Sequence, residues 1–218
     1  MALKLVIGDF NKSSWSLRAW LVMVTADAAF DTIHIKLEQP DTPRQIGKYS
    51  PSGKVPVLLL DNLVINDSLA ICEYMAEACP DSNLWPQDLR LKALSRAAAA
   101  EMHSGFTHLR TQMSFGLGTG DDAGDLSVET QGEIVRIFSI WQDLRAASRS
   151  TTFLCGPFGI VDAMFAPVVF RLRRYGISVP PTLQSYVDQV VAYGPVQQWL
   201  AKAAEEEVGV QEREDTCR

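Results

Sequence analysis

The stretch Tyr49–Glu77, reading YSPSGKVPVLLLDNLVINDSLAICEYMAE, limits what this chain can fold into more than any other segment. Val57–Leu60 and Leu63–Ile65 are β-rich runs separated by Asp61-Asn62, two turn formers, and that spacing predicts a hairpin. Asp67-Ser68 then opens a run in which Leu69, Ile71, Cys72, Met75 and Ala76 recur at helical spacing. Asp67 or Ser68 can cap this helix, so its first N–H groups and positive dipole end face whatever lies in front of it. Such a helix start suits a carboxylate, and Lys54, just ahead of Val55-Pro56, brings a cation toward the same strand.

Val55-Pro56-Val57-Leu58 followed by Asp67-Ser68-Leu69-Ala70-Ile71 resembles the glutathione-binding core of the soluble glutathione transferases. The resemblance implies a cis Pro56, a geometry open in practice to X–Pro bonds alone. It implies that Val55 turns its backbone N–H and C=O toward the cysteinyl part of glutathione. By the same likeness Ser68 and the helix N–H groups take the γ-glutamyl carboxylate, Asp67 takes the amine, and Lys54 meets the glycyl carboxylate. Without the resemblance, Pro56 starts an edge strand and Ser68 is only a helix cap.

The chain opens with a strand over Leu3–Gly8. A polar loop, Asn11-Lys12-Ser13-Ser14, leads into a helix from Trp15 through Ala26, with Leu17, Trp20, Leu21 and Val24 on one face. Thr32–Leu37 alternates, with Ile33, Ile35 and Leu37 on one side, and predicts a second strand; Pro40–Ser50 is a loop or short helix. The order β-α-β then β-β-α predicts a small sheet covered by helices, with parallel pairing across the first crossover. That order matches the thioredoxin-like domain with which the transferase family begins.

Ser13-Ser14-Trp15-Ser16-Leu17-Arg18 resembles the zeta-class motif Ser-Ser-Cys-Ser-x-Arg and the Ser-type motifs of the tau class, with Trp15 standing where zeta-class members have Cys. The likeness gives Ser13, with Ser14 next, the role of hydrogen-bonding the glutathione sulfur, and Lys12 can add to the effect. A free thiol has a pKa of about 8.5 and its thiolate is the nucleophile, so a hydroxyl donor and a helix N-terminus both favour the reactive form. Trp15 removes one sulfur contact and narrows the pocket. Read without the family, Ser13 and Ser14 are an N-cap. No Cys or Tyr occupies this loop, which disfavours omega-type thiol exchange and Tyr-type activation.

Cys79–Asp88, CPDSNLWPQD, lacks periodicity and reads as a linker, giving domains at 1–80 and 88–218 with 81–87 between them. Beyond it strand signals stop. One helix is expected from Gln87 to about Leu117, a Gly- and Asp-rich gap at 116–125, a second helix at about 127–149, and an all-α domain. His103, Phe106, Thr107 and Arg110 fall on one face of the first. In the family that helix borders the second-substrate cleft, so His103, Phe106 and Arg110, with Trp15, are candidates to hold an anionic or carbonyl co-substrate; a packed or dimer-facing helix is the plainer alternative. Gly159 to Asp162 resembles the family's capping box with its hydroxyl missing, and Ala163–Leu172 is apolar almost all round, predicting a buried helix. Thr182–Val191 and Pro195–Ala204 close the chain, and the acidic residues from Glu205 to Asp215 read as a solvated tail.

A net charge of −6 argues against nucleic-acid or anionic-membrane partners, and no apolar run is long enough to span a bilayer. Met1–Ile7 lacks a signal-peptide core, and Cys72, Cys79, Cys155 and Cys217 form no Cys-x-x-Cys pair, so a cytoplasmic protein with free thiols is expected. Three histidines without evident partner ligands disfavour a metal site, and His34 is expected simply to face solvent. Together the resemblances imply a homodimeric glutathione transferase that joins glutathione, as co-substrate, to a small electrophile. A glutathione-dependent cis–trans isomerase of the maleylacetoacetate type, or a non-catalytic module on the same scaffold, are the alternatives.

Overall fold

The computed structural model describes residues 3–216, with side chains through Glu206; Met1, Ala2, Cys217, Arg218 and the acidic side chains from Glu207 on lie outside the described part. Strand β1 (Leu3–Ile7) sits inside a four-stranded sheet of order β2-β1-β3-β4. It pairs in parallel with β2 (Phe30–His34) and antiparallel with β3 (Val57–Leu60), which turns at Asp61-Asn62 into β4 (Leu63–Asn66). The predicted βαβ and ββα halves are both present.

Alternation along β1 decides how the sheet is covered. Leu5 and Ile7 join the large core with Leu17 and Leu21 of α1 (Ser14–Thr25) and Ile71 and Met75 of α3 (Ser68–Ala78). Val6 points the other way, into a small cluster with Ile35, Val57 and Ile46, the last from α2 (Thr42–Gly47). The second strand starts two residues and ends three residues earlier than its alternation suggested. It ends at His34 because β1 ends at Ile7, opposite it; Ile35 still donates to the Ile7 carbonyl at 2.9 Å, and Leu37 donates to the Asp9 carboxylate instead.

A short 3₁₀ turn at Pro80–Ser82 follows, and from α4 (Leu89–Ser104) onward the described chain is helical. The single helix expected from Gln87 to Leu117 is two: α4 ends at Ser104, and α5 (Thr107–Gln112) starts after Phe106, which holds a left-handed backbone (φ 59°). Arg110 secures the break, its Nε and Nη2 donating to the Gly105 and Met102 carbonyls left over at the end of α4. His103, Phe106 and Arg110 therefore do not form one helical face.

Helix α6 (Val128–Ser148) spans the predicted second helix, and α7 (Ile160–Arg174) is buried from Ile160 through Leu172, packing against α1 and α4. Its start is half a capping box. The buried Asp162 carboxylate accepts from Gly159 N–H and Leu154 N–H, both at 3.0 Å, and no hydroxyl answers it from Gly159. A Cβ on Gly159 would lie 2.7 Å from the Leu84 carbonyl oxygen, which accounts for the missing side chain. Helices α8 (Pro181–Ala192) and α9 (Gly194–Thr216) close the chain, α9 running well past the expected Ala204. Glu206, expected in a solvated tail, instead packs against His34 and accepts from Asn11 N–H. Among the described residues, no helix is long and apolar enough to cross a membrane, and Cys72, Cys79 and Cys155 are free.

Candidate functional site

A cleft of about 450 Å³ is lined by Trp15, Ser52, Lys54, Val55, Pro56, Asn66, Asp67, Ser68 and His103. The Val55-Pro56 peptide bond is cis, and Val55 lies ahead of β3, outside the paired register of the sheet. Its backbone therefore faces the cleft side without a strand partner.

Asp67, at the junction of β4 and α3, adopts an unusual positive φ of 92° and serves as the N-cap. Its Oδ1 accepts from Leu69 N–H at 2.8 Å and Ala70 N–H at 3.2 Å, and its backbone carbonyl takes Ile71 N–H. Because Asp67 caps the helix, Ser68 is released from that duty. Ser68 is 2% exposed, its own N–H has no acceptor within the helix, and its hydroxyl is buried with no partner among the described residues. A buried hydroxyl without a partner is costly, so a group that supplies one is favoured there. The second Asp67 oxygen, Oδ2, meets His103 Nε2 at 3.0 Å, linking the sheet to α4 across the cleft.

The first helix presents a similar start. Ser13 is its N-cap and is 5% exposed; its hydroxyl accepts from Ser16 N–H at 3.3 Å and donates to Ser16 Oγ at 2.7 Å. Ser16 Oγ in turn accepts from Gly8 N–H. The Ser14 hydroxyl makes no hydrogen bond among the described residues, and the N–H groups of Ser14 and Trp15 are orphans of the first turn. Neither serine lines the cleft as it stands; Trp15 does.

Trp15 is held from several directions. The Arg18 guanidinium lies 4.3 Å and that of Arg110 4.6 Å from its ring, and His103 meets it edge-on at 5.3 Å. Arg18 is fully buried, donating from Nε to the Met164 carbonyl while Nη1 and Nη2 have no partner among the described residues. Arg171, also buried, donates to the Met113 and Pro167 carbonyls. Burial pushes all three arginines below their ordinary pKa, Arg171 to about 10; neighbouring guanidinium charges lower Arg18 and Arg171 further, while Glu133 opposes the shift at Arg110. Three cations answered by carbonyls, with no carboxylate bonded to any of them among the described residues, leave positive potential behind the α1 N-terminus, where an anion is stabilised.

The structure thus brings Trp15, Lys54, Val55, Pro56, Asp67, Ser68 and His103 to one cleft. Lys12 lies outside it, ion-paired with Glu38 at the surface, and Phe106 is buried in the core. Arg110 reaches the cleft through Trp15. Ser52 and Asn66, which also line it, carried no signal beyond their place next to the Lys54 and Asp67 motifs. Arg18 stood in the Ser-Ser motif, yet nothing local announced that it would be buried without a counterion.

The family description "Glutathione S-transferase, N-terminal domain" matches residues 12–78, and "Glutathione S-transferase, C-terminal domain" matches 129–202. Glutathione S-transferase 1 of Dianthus caryophyllus is 27% identical, covering 87% of this chain and 88% of its own length. A probable maleylacetoacetate isomerase of Caenorhabditis elegans is 25% identical over 78% of this chain and 79% of itself. Among solved structures, a Burkholderia glutathione transferase homologue with bound glutathione superimposes with a TM-score of 0.73 at 24% identity, covering 94% of this chain and all of that one.

Proposed function

This chain belongs to the glutathione S-transferase family, and from that premise we propose that it joins the glutathione thiolate to small electrophiles. The observation that carries the proposal is Ser68, a buried hydroxyl and a free helix N–H facing a cleft that also holds cis Pro56, Val55 and Lys54. The γ-glutamyl carboxylate docks on Ser68 and the α3 N-terminus, its amine on Asp67, and the glycyl carboxylate on Lys54. The Val55 backbone pairs with the cysteinyl unit and aims its sulfur at the start of α1.

There the thiol loses its proton to solvent, and the thiolate is held by the helix N–H groups, the arginine field and a serine hydroxyl. Ser13 supplies that hydroxyl by turning its proton from Ser16 Oγ to the sulfur, an exchange of one neutral hydrogen bond (about 1 kcal/mol) for a charge-assisted one. Ser14, unbonded, is the second donor. The sulfur then bonds to the electrophilic carbon as the leaving group departs with the electron pair of the broken bond. His103 and Trp15 border the space beside the sulfur where the electrophile enters. The domain boundaries at 80 and 88, a two-fold dimer and a cytoplasmic location belong to the same proposal; the exposed Leu63 and Val64 of edge strand β4 give apolar surface for a subunit contact.

Conjugation of 1-chloro-2,4-dinitrobenzene tests the chemistry. Losing a hydroxyl that bonds the thiolate costs about 1.5–3 kcal/mol, so kcat/KM in Ser13→Ala falls roughly 10- to 100-fold while glutathione still binds. Unchanged turnover in both Ser13→Ala and Ser14→Ala removes the assigned role. The isomerase alternative is favoured by relatives named as maleylacetoacetate isomerases and by the Ser13-Ser14 pair. Trp15, in place of the motif's Cys, argues against it, and direct assay with that substrate decides.

A further inference from the structure

We propose that Asp9, His34 and Glu206 bind one divalent first-row metal ion of the Zn²⁺ class, away from the glutathione cleft. The three come from the loop after β1, the end of β2 and α9, and one ligand atom from each lies within 4.8 Å of the others. His34 Nε2 stands 2.9 Å from Glu206 Oε1 and 3.5 Å from Asp9 Oδ1. A cation about 2.1 Å from each atom, the usual Zn–N and Zn–O distance, would see angles of roughly 90° and 110°, within reach of tetrahedral or five-coordinate geometry.

Hydrogen bonding alone leaves the cluster unfinished. Asp9 Oδ1 and Glu206 Oε1 converge on a single imidazole nitrogen, and Glu206 Oε1 is sealed from solvent without a hydrogen bond among the described residues. Two largely buried carboxylates that converge on one imidazole nitrogen favour a positive charge at their meeting point. Each carboxylate is, meanwhile, already oriented from behind. Leu37 N–H donates to Asp9 Oδ2 at 2.8 Å and Asn11 N–H to Glu206 Oε2 at 3.3 Å, the outer-shell support that ligating carboxylates receive. The His34 side chain is 36% exposed, which leaves an entry path and room for a water ligand. A nitrogen and two oxygens suit Zn²⁺, Co²⁺ or Mn²⁺ better than Ca²⁺ or a thiophilic ion.

The location gives the ion a task. The loop after β1 runs straight into Ser13, whose N–H donates to the Asp9 carbonyl at 2.9 Å. Helix α9 already touches that loop through Asn11 Nδ2 on the Ala203 carbonyl and Trp199 Nε1 on the Phe10 carbonyl. A metal would fasten the last helix to the loop that sets the α1 N-terminus.

Zn²⁺ titrated by calorimetry into the chelator-treated, thiol-reduced full chain, with paired thermal melts, is the test. The wild type is expected to take up one ion per chain and melt at a higher temperature with it. His34→Gln and Glu206→Gln each bind at least about tenfold more weakly and lose the thermal shift, while circular dichroism shows both folded. Co²⁺ in the same site gives d–d bands without thiolate charge-transfer absorption. Absence of saturable binding, equal affinity in both variants, or thiolate bands assigning the ion to cysteines would each overturn the proposal.

Discussion

Removing the Ser68 hydroxyl separates a ligand-binding role from a structural one. Ser68 Oγ is buried and has no partner among the described residues, and α3 is capped by Asp67 through Leu69 and Ala70 N–H, so Ser68→Ala takes away no hydrogen bond described as holding the fold together. It also relieves a buried polar group whose desolvation costs about 1–3 kcal/mol, set against a small void. Stability of the free protein is therefore expected to hold or to rise by up to about 1 kcal/mol. With glutathione bound, the same hydroxyl donates to the γ-glutamyl carboxylate, a hydrogen bond to a charged group worth about 1.5–3 kcal/mol. The dissociation constant should rise roughly 10- to 100-fold, at 1.4 kcal/mol per decade. Calorimetric titration with glutathione and urea unfolding of the free protein read the two effects separately. An unchanged Kd refutes the placement of the carboxylate. A loss of stability that matches the loss of affinity refutes the claim that Ser68 is idle in the free fold.

Trp15→Ala removes the ring over which Arg18 and Arg110 lie; with cation–π contacts worth about 0.5–2 kcal/mol each, urea unfolding should show a loss of about 1–3 kcal/mol. Burial pushes the Asp162 carboxyl up to about 7, so between about pH 4 and 7 the folded chain holds that proton more tightly than the unfolded one. Its contribution to stability is full at the acid end and is lost as pH rises through that window, with a slope approaching 1.4 kcal/mol per unit. Unfolding of wild type against Asp162→Asn at pH 5 and 7.5 isolates it, and parallel pH profiles would contradict the burial argument. Gly159→Ala drives a Cβ to within 2.7 Å of the Leu84 carbonyl oxygen, which also accepts Ile160 N–H at 3.0 Å; a loss of about 1–3 kcal/mol is expected, and a neutral thermal melt would show that the contact yields.

What could be read from the residues and what could not divides along sequence distance. The Val55-Pro56 bend, the Asp61-Asn62 turn and the Asp67-Ser68 helix start are written in neighbouring residues, because turn and cap chemistry act over two to four positions. The choice of Asp67 over Ser68 as the cap was open in the sequence, and it is that choice which frees the Ser68 hydroxyl. The break between α4 and α5 was hidden because apolar spacing continues across Gly105-Phe106, and distant or folded-back side chains sustain it: Arg110 on the α4 carbonyls and Glu133 on the His108 and Leu109 N–H groups. The meeting of Asp9, His34 and Glu206 spans nearly the whole chain and depends on where α9 docks. Charge runs at a chain end usually face water, so Glu206 gave no local sign of its partners.

The central claim is that one cleft grips both ends of glutathione and delivers its sulfur to the start of α1. A crystal structure of the protein grown with glutathione measures this directly. The account predicts the γ-glutamyl carboxylate on Ser68 Oγ and N–H, the cysteinyl unit paired with the Val55 backbone, and the sulfur within hydrogen-bond reach of Ser13 or Ser14. Glutathione bound with its sulfur away from both serines, or a cleft left without ligand at saturating concentration, would contradict it.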